Sequence, residues 1–319
     1  MKILKAVFSK DSEMFEMTSQ SKFIPNLVIS LLVFFILWIV GRFLAILVLT
    51  IPLSFFSDGN IIMVAVAKSI RLAFIGGTII SLFLMWVRYI EKRPIHTIGL
   101  SSNKAARKYF VGFMIGITFM AANTLAFFVL GVAHFEGFYF EKHGINIVVS
   151  VFIMLFGYMV QSASEEIAVR GWLLPIIGAK YNAMVAVLVT STMFGVIHLL
   201  NPNVTALSII NIVLAGVFMA LIVILQGDIW SVCGYHCGWN WALANVFGYQ
   251  ISGYAPVGGA LFNLRLEGSE LLTGGYFGPE AGIIATVFLL FGIFVLTKMI
   301  YRKKSAEMRN KNGEYIYSL

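Results

Sequence analysis

Three short patterns of polar residues interrupt long apolar stretches of the 319-residue chain, and each has residue types that could do chemistry. The first is Glu165-Glu166-Ile167-Ala168-Val169-Arg170-Gly171. Successive residues of a helix are turned by about 100°, so the two carboxylates cannot face one cavity. Glu166 and Arg170 are spaced i,i+4 in the favourable order for an intrahelical ion pair, which makes them a brace. Glu165 then points elsewhere, poorly solvated, as a general base is usually prepared.

The second pattern is Phe194-Gly195-Val196-Ile197-His198, with Phe194 and His198 on one helix face, followed by Asn201-Pro202-Asn203. The third is His236-Cys237-Gly238-Trp239-Asn240. His236 and Asn240 again share a face and supply two hydrogen-bond donors suited to a developing oxyanion. Each pattern has a plain alternative: a structural charge cluster for the first, a satisfied core histidine for the second, interhelical glue for the third. Polar groups in hydrocarbon cost several kcal/mol unless paired or hydrated, so three such sites in one chain need a common reason. Trp241 and Asn245 are assigned to packing.

The same residues admit a metal reading. Glu165, His198 and His236 would make a His₂Glu set for zinc with an open position. No His-Glu-x-x-His pair is present, however, and the ligands would come from three separate helices. No cofactor is therefore assigned, and zinc is the one to test. Cys233 and Cys237, the only cysteines, lie in an apolar stretch and read as small packing residues; they exclude a disulfide framework.

The elements that carry these motifs must be membrane helices. The chain is 59% hydrophobic and only 12% charged, with a net charge of +8. Soluble domains are about 25% charged. The predicted architecture is an all-α polytopic bundle of about eight spans around a polar cavity, each span needing roughly 20 apolar residues. Candidate spans cover 24–53, 61–87, 108–133, 146–174, 182–200, 204–226, 229–249 and 280–301. Residues 1–145 hold the first three spans and basic loops, 146–249 the motif-bearing core, and 250–319 a Gly-rich loop, the last span and a basic tail.

Lys2, Lys5, Lys10 and Lys22 precede the first span, six basic residues separate the second from the third, and another cluster closes the eighth. Alternate loops hold few, chiefly Lys142 and Arg265. This pattern predicts an even number of spans with both termini in the cytoplasm. About twenty polar residues ahead of the first run make that run a retained span rather than a cleaved signal. The bases are scattered between spans, which suits anionic lipid headgroups and not nucleic acid. Arg42, Lys68 and Arg71 lie within or near the first two spans and read as snorkelling or interfacially paired side chains. The stretch 250–279 could cover a cavity mouth or simply connect spans. No internal repeat is evident, which argues against a transporter.

Depth gives a geometric check. Glu165 lies fifteen residues before a turn near Lys180 and His198 eighteen after it, so at about 1.5 Å per residue they reach similar depth. His236, counted from the turn near Asp228, comes out shallower by roughly 10 Å.

In this order on separate spans, Glu-Glu-x-x-x-Arg, Phe-x-x-x-His and His-x-x-x-Asn resemble the CAAX-processing and bacteriocin-processing protease family, which includes the type II CAAX prenyl endopeptidases. The resemblance covers about residues 146–249, and Gly274-Gly275-Tyr276-Phe277-Gly278-Pro279-Glu280 resembles bacterial members. Val169 departs from it, since an aromatic residue often precedes the Arg. The resemblance implies an intramembrane endopeptidase, of glutamate type or a metalloprotease, in a bacterial cell membrane. Glu165 and His198 would activate water, His236 and Asn240 would stabilise the oxyanion, and Glu166 with Arg170 would support them. The expected partners are the bilayer and a peptide or membrane-protein substrate. A non-enzymatic immunity factor or scaffold of the same fold is the other reading. Neither substrate identity nor oligomeric state follows from the sequence.

Overall fold

The computed structural model describes residues 12–54 and 60–311, and Lys2, Lys5 and Lys10 of the topology pattern lie outside them. A short helix, α1 (Glu13–Ser19), precedes eight longer ones: α2 (Leu27–Ser54), α3 (Ile61–Met85), α4 (Ala105–Val129), α5 (Ile145–Glu166), α6 (Ala183–Val196), α7 (Ala206–Gln226), α8 (Trp230–Trp241) and α9 (Ile283–Lys311). Several do not stop where their α-geometry ends. α3 runs into a π-turn at Trp86–Ile90, α8 into one at Ala242–Val246, and α5 into one at Ile167–Leu173 before a last α-turn at Leu174–Lys180. Two short antiparallel strands, β1 (Ala133–Phe138) and β2 (Phe262–Leu266), pair beyond the helix ends.

Six of these helical segments are long and apolar enough to cross a bilayer: 27–49, 61–90, 105–129, 145–180, 206–226 and 283–309. The expected fifth and seventh spans do not meet that measure. α6 is only 14 residues long, because the chain leaves the helix at Ile197 and turns through 197–203. α8 is short and rich in polar and small residues. Both carry the polar motifs. The length and apolarity that mark a lipid-facing crossing are absent where a helix serves a polar interior.

The helices nonetheless alternate in direction. One rim of the bundle gathers Ile24 with Lys180, Gly99 with Ile229, Lys108 with Asp228, and Lys303 with Leu225. The two strands and the 250–282 loop lie at the opposite rim. Within the first rim, a buried polar knot ties several segments together. Glu91 accepts from the indoles of Trp86 and Trp172 at 3.0 and 2.6 Å and pairs with Arg93 at 2.6 Å, while Arg93 reaches Thr18 and Thr97. α1 sits below this layer, its Phe15 ring filling the space beside Gly178.

This layer corrects the depth reckoning for His236. The turn near Asp228 is not level with the turn near Lys180. Ile229 packs beside Gly171, whose missing side chain admits the Ile98 carbonyl at 3.0 Å and Ile229 Cδ1 at 3.5 Å. Measured from Gly171, Glu165 is six residues inward; measured from Ile229, His236 is seven. The two therefore reach the same depth, and the apparent offset of about 10 Å disappears.

α8 is held at that depth by α4. Gly112 and Gly116 on α4 face Ser231 and Tyr235, and Gly234 and Gly238 on α8 face Tyr109 and Phe113, each so closely that a Cβ would run into the opposing carbonyl. Two small-xxx-small faces thus meet reciprocally, the arrangement that lets membrane helices approach backbone to backbone. Gly234→Val and Gly116→Val are each expected to lower stability by about 3 kcal/mol or more through overpacking. The check is thermal unfolding in detergent, with the unchallenged position Gly77→Val, where no atom lies within 4 Å of the added carbon, unfolding close to wild type.

Candidate active site

The cavity that collects the motif residues has a volume of about 490 Å³ and lies between α2–α3 on one side and α5 to α9 on the other. Glu165, His198, His236 and Asn240 all line it. Glu166 and Arg170 do not; both are fully buried behind it.

The brace forms as expected from its spacing, with Arg170 Nη1 3.1 Å from Glu166 Oε1. It crosses the junction at which α5 changes from α- to π-geometry, an irregularity common at functional sites. Arg170 also donates to the Gly216 carbonyl at 3.3 Å and places its guanidinium 4.3 Å from the Phe194 ring centre. Phe194 in turn lies edge-on to His236 and against His198, with ring centres 5.9 and 4.9 Å apart. The aromatic residue of the second motif thus joins the cation of the first to the imidazoles of both others, a role its position alone did not suggest.

Glu165 and Glu166 point in different directions yet share a partner. His236 Nδ1 is 2.8 Å from Glu166 Oε1, and its Nε2 is 3.8 Å from Glu165 Oε2. A carboxylate can only accept from the ring, so Nδ1 carries a proton directed at Glu166. Nε2 is left facing Glu165 and the cavity. With His236 protonated, two carboxylates and two cations balance to zero charge, which is how buried charge is tolerated.

His198 is placed differently from the expectation. It lies two residues beyond the end of α6, and Nδ1 donates to the Phe194 carbonyl at 2.7 Å. A carbonyl oxygen accepts only, so Nδ1 carries a proton, and in the neutral ring the lone pair lies on Nε2. His198 and Glu165 line the same cavity, but among the described residues no hydrogen bond joins them. The imidazole in direct ionic reach of Glu165 is His236.

Gln161, absent from the sequence-derived set, connects the remaining pieces. Its Nε2 donates to Glu165 Oε1 at 2.6 Å, and its Oε1 accepts from Asn240 Nδ2 at 3.2 Å. It stands i−4 from Glu165, so the spacing that flagged the other pairs also marked it. Asn240 retains a second amide proton for the cavity. For the metal reading, the fit is poor: among the described residues no three His, Cys, Asp or Glu side chains gather closely enough to hold an ion. Cys233 and Cys237 are buried and free, as packing residues would be.

The 250–279 stretch does reach the cavity. Ile251, Ser252, Tyr254, Ala255 and Val257 line it. Asn201 and Asn203 donate to the carbonyls of Ser252 and Gly253, strapping this loop to the turn that bears His198. Glu280 anchors the other side, accepting from Trp239 Nε1 at 2.9 Å and from Ser252 N at 2.7 Å. The Gly-rich motif is needed for this course: Gly278 has φ +109° and packs directly on the Gln250 carbonyl. Asn245 pins the loop as well, donating to Val257 O and Gly259 O.

Arg170→Met should cost about 3–5 kcal/mol in thermal unfolding, since it leaves the Glu166 carboxylate buried without its cation. Adding Glu166→Gln should recover part of that loss. A double variant no more stable than the single one would show that the guanidinium acts through Phe194 and Gly216 instead.

Residues 146–242 match the family model of the type II CAAX prenyl endopeptidase Rce1-like proteins. No curated protein matches the chain. No solved structure does either. The matched segment contains all three motifs and the six charged or polar side chains singled out by their spacing. Over this segment the chain is similar to the type II CAAX prenyl endopeptidase Rce1-like proteins, and among the described residues six helices are long and apolar enough to cross a membrane.

Proposed function

We propose that the protein is an intramembrane endopeptidase that hydrolyses a peptide bond of a membrane-associated peptide or protein. The observation that carries this reading is the convergence of Glu165, His236 and, through Gln161, Asn240 at one cavity that His198 also lines. A water held between Glu165 and His198 Nε2 loses a proton to the carboxylate as its oxygen attacks the scissile carbonyl. Negative charge develops on the carbonyl oxygen. His236 Nε2–H and the second Asn240 amide proton are donors for it, in a site from which bulk water is largely excluded. When the C–N bond breaks, the proton on Glu165 passes to the leaving nitrogen. Glu166, accepting from Nδ1, stabilises the doubly protonated His236 that leaves Nε2–H free to donate, and Gln161 holds both Glu165 and Asn240 in place. No step runs through a metal ion, so chelator should leave activity unchanged.

We infer the side of the membrane from charge: by the positive-inside rule the rim with Arg88, Lys92, Lys104, Arg107 and Lys108 is the cytoplasmic one, with the 250–282 loop towards the other side.

The substrate can be found by comparing peptides released from bacterial membranes by reconstituted wild-type protein and by Glu165→Gln, using mass spectrometry. On a peptide found this way, Glu165→Gln and His198→Ala should each lower kcat by about 10²–10⁴. Asn240→Ala should lower it by about 10²–10³. Gln161→Met should lower kcat with KM little changed, because it removes a positioning contact. Undiminished cleavage in both the Glu165 and His198 variants would overturn the mechanism. Full biological activity without cleavage would favour a partner-binding scaffold.

A further inference from the structure

Three cations line the same cavity without a partner. Arg42 on α2 and Lys68 and Arg71 on α3 all border it, and among the described residues none makes a hydrogen bond or ion pair. Their sequence reading was snorkelling or interfacial pairing. Their position argues otherwise. Lys68 lies seven residues inside the start of α3, and Arg42 twelve before the end of α2, or about 10 and 18 Å along the helix axes. The polar headgroup layer on each side of a bilayer is only about 5–8 Å thick. Three unpaired charges at that depth, around one cavity, offer a site for an anion supplied from outside the chain.

The carboxylates of the cavity do not supply it. Glu165 is engaged by Gln161 and His236, and Glu280 by Trp239 and Ser252. Two of the cations, Lys68 and Arg71, are also set apart from the catalytic wall. Gly76 packs against the backbone of Val160 and Gln161, so α3 and α5 run side by side in the same direction. Glu165 is then level with about Ile80. Arg71 and Lys68 lie nine and twelve residues towards the mouth, about 13–18 Å by backbone. Arg42 starts near the catalytic level, since Gly41 packs on Ile79. An extended peptide covers about 3.3 Å per residue, so four or five residues bridge the two regions.

We propose that Arg42, Lys68 and Arg71 form an anion subsite that recognises a carboxylate of the substrate peptide, an acidic side chain or the chain terminus, a few residues from the scissile bond. The proposal rests on the peptidase reading for the occupant of the cavity, and it names the charge class of the substrate. It also gives the N-terminal helices, which lie outside the Rce1-like match, a part in specificity.

Binding tests it apart from hydrolysis. Full-length Glu165→Gln protein in phosphatidylcholine nanodiscs is titrated with dodecanoylated, fluorescein-labelled heptapeptides of Ala and Leu in three forms: a free C-terminus, a C-terminal amide, and an amide with one internal Asp. At least one carboxylate form should bind about 10-fold more tightly than the plain amide, a difference of about 1.4 kcal/mol. Whichever form is preferred identifies the source of the carboxylate. Lys68→Gln/Arg71→Gln and Arg42→Gln should remove the preference while leaving amide binding in place, which also shows that the variants are folded. Arg42→Lys and Arg71→Lys should retain most of it. Equal binding of all three peptides overturns the proposal, as does a preference unchanged by the Gln variants. Charge-dependent retention of phosphatidylglycerol without any peptide preference overturns it in favour of a lipid site. A preference seen in binding, with no cleavage by the wild type, would leave the subsite standing and remove the peptidase reading.

Discussion

The buried charge balance around His236 is the constraint on which the rest of the structure depends. Two adjacent carboxylates, a guanidinium and an imidazole lie nine-tenths or more buried at mid-bundle. Arg170 cannot neutralise both carboxylates, because adjacent residues diverge by about 100°, and the positions that face Glu165 on its own helix hold Gln161 and Val169. Glu166 takes Arg170 from its own helix, and Glu165 must find its partner elsewhere. α8 therefore has to bring His236 to the same depth as residues 165 and 166, and it has to come close.

Closeness and depth have separate structural causes. Closeness comes from the glycine faces of α4 and α8, which remove the side chains that would hold the backbones apart. Depth comes from the polar knot around Glu91 and Arg93, which fills the first rim and lets α8 begin level with Gly171 instead of Lys180. The π-turn after Glu166 then carries Arg170 across to Gly216 and Phe194, linking the brace to α6 and α7. Each device is costly in isolation: a π-turn, a buried polar knot, short polar spans. Together they hold one neutral cluster of charges inside an apolar bundle.

The cavity is polar along one wall and cationic towards its mouth. Its lid is not a free flap. Glu280, Asn201, Asn203 and Asn245 tie 250–259 to α8 and to the His198 turn.

Much of this was legible in the sequence. Apolar run length set the membrane class, i,i+4 spacing separated the Glu166–Arg170 brace from Glu165, and three ordered motifs pointed to a peptidase family. These are local properties, decided within a few turns of helix. Tertiary structure decided what depends on distances between segments. The partner of Glu165 is His236, and its depth could not be counted from loop positions because the turn at 227–229 is recessed into the bundle. Gln161 was visible by spacing, but only the approach of Asn240 makes it a bridge. Arg42, Lys68 and Arg71 look like any interfacial bases until α2 and α3 are packed around the cavity. A sequence records each residue's chemistry and its helical phase; which phases face one another is set by how closely helices pack.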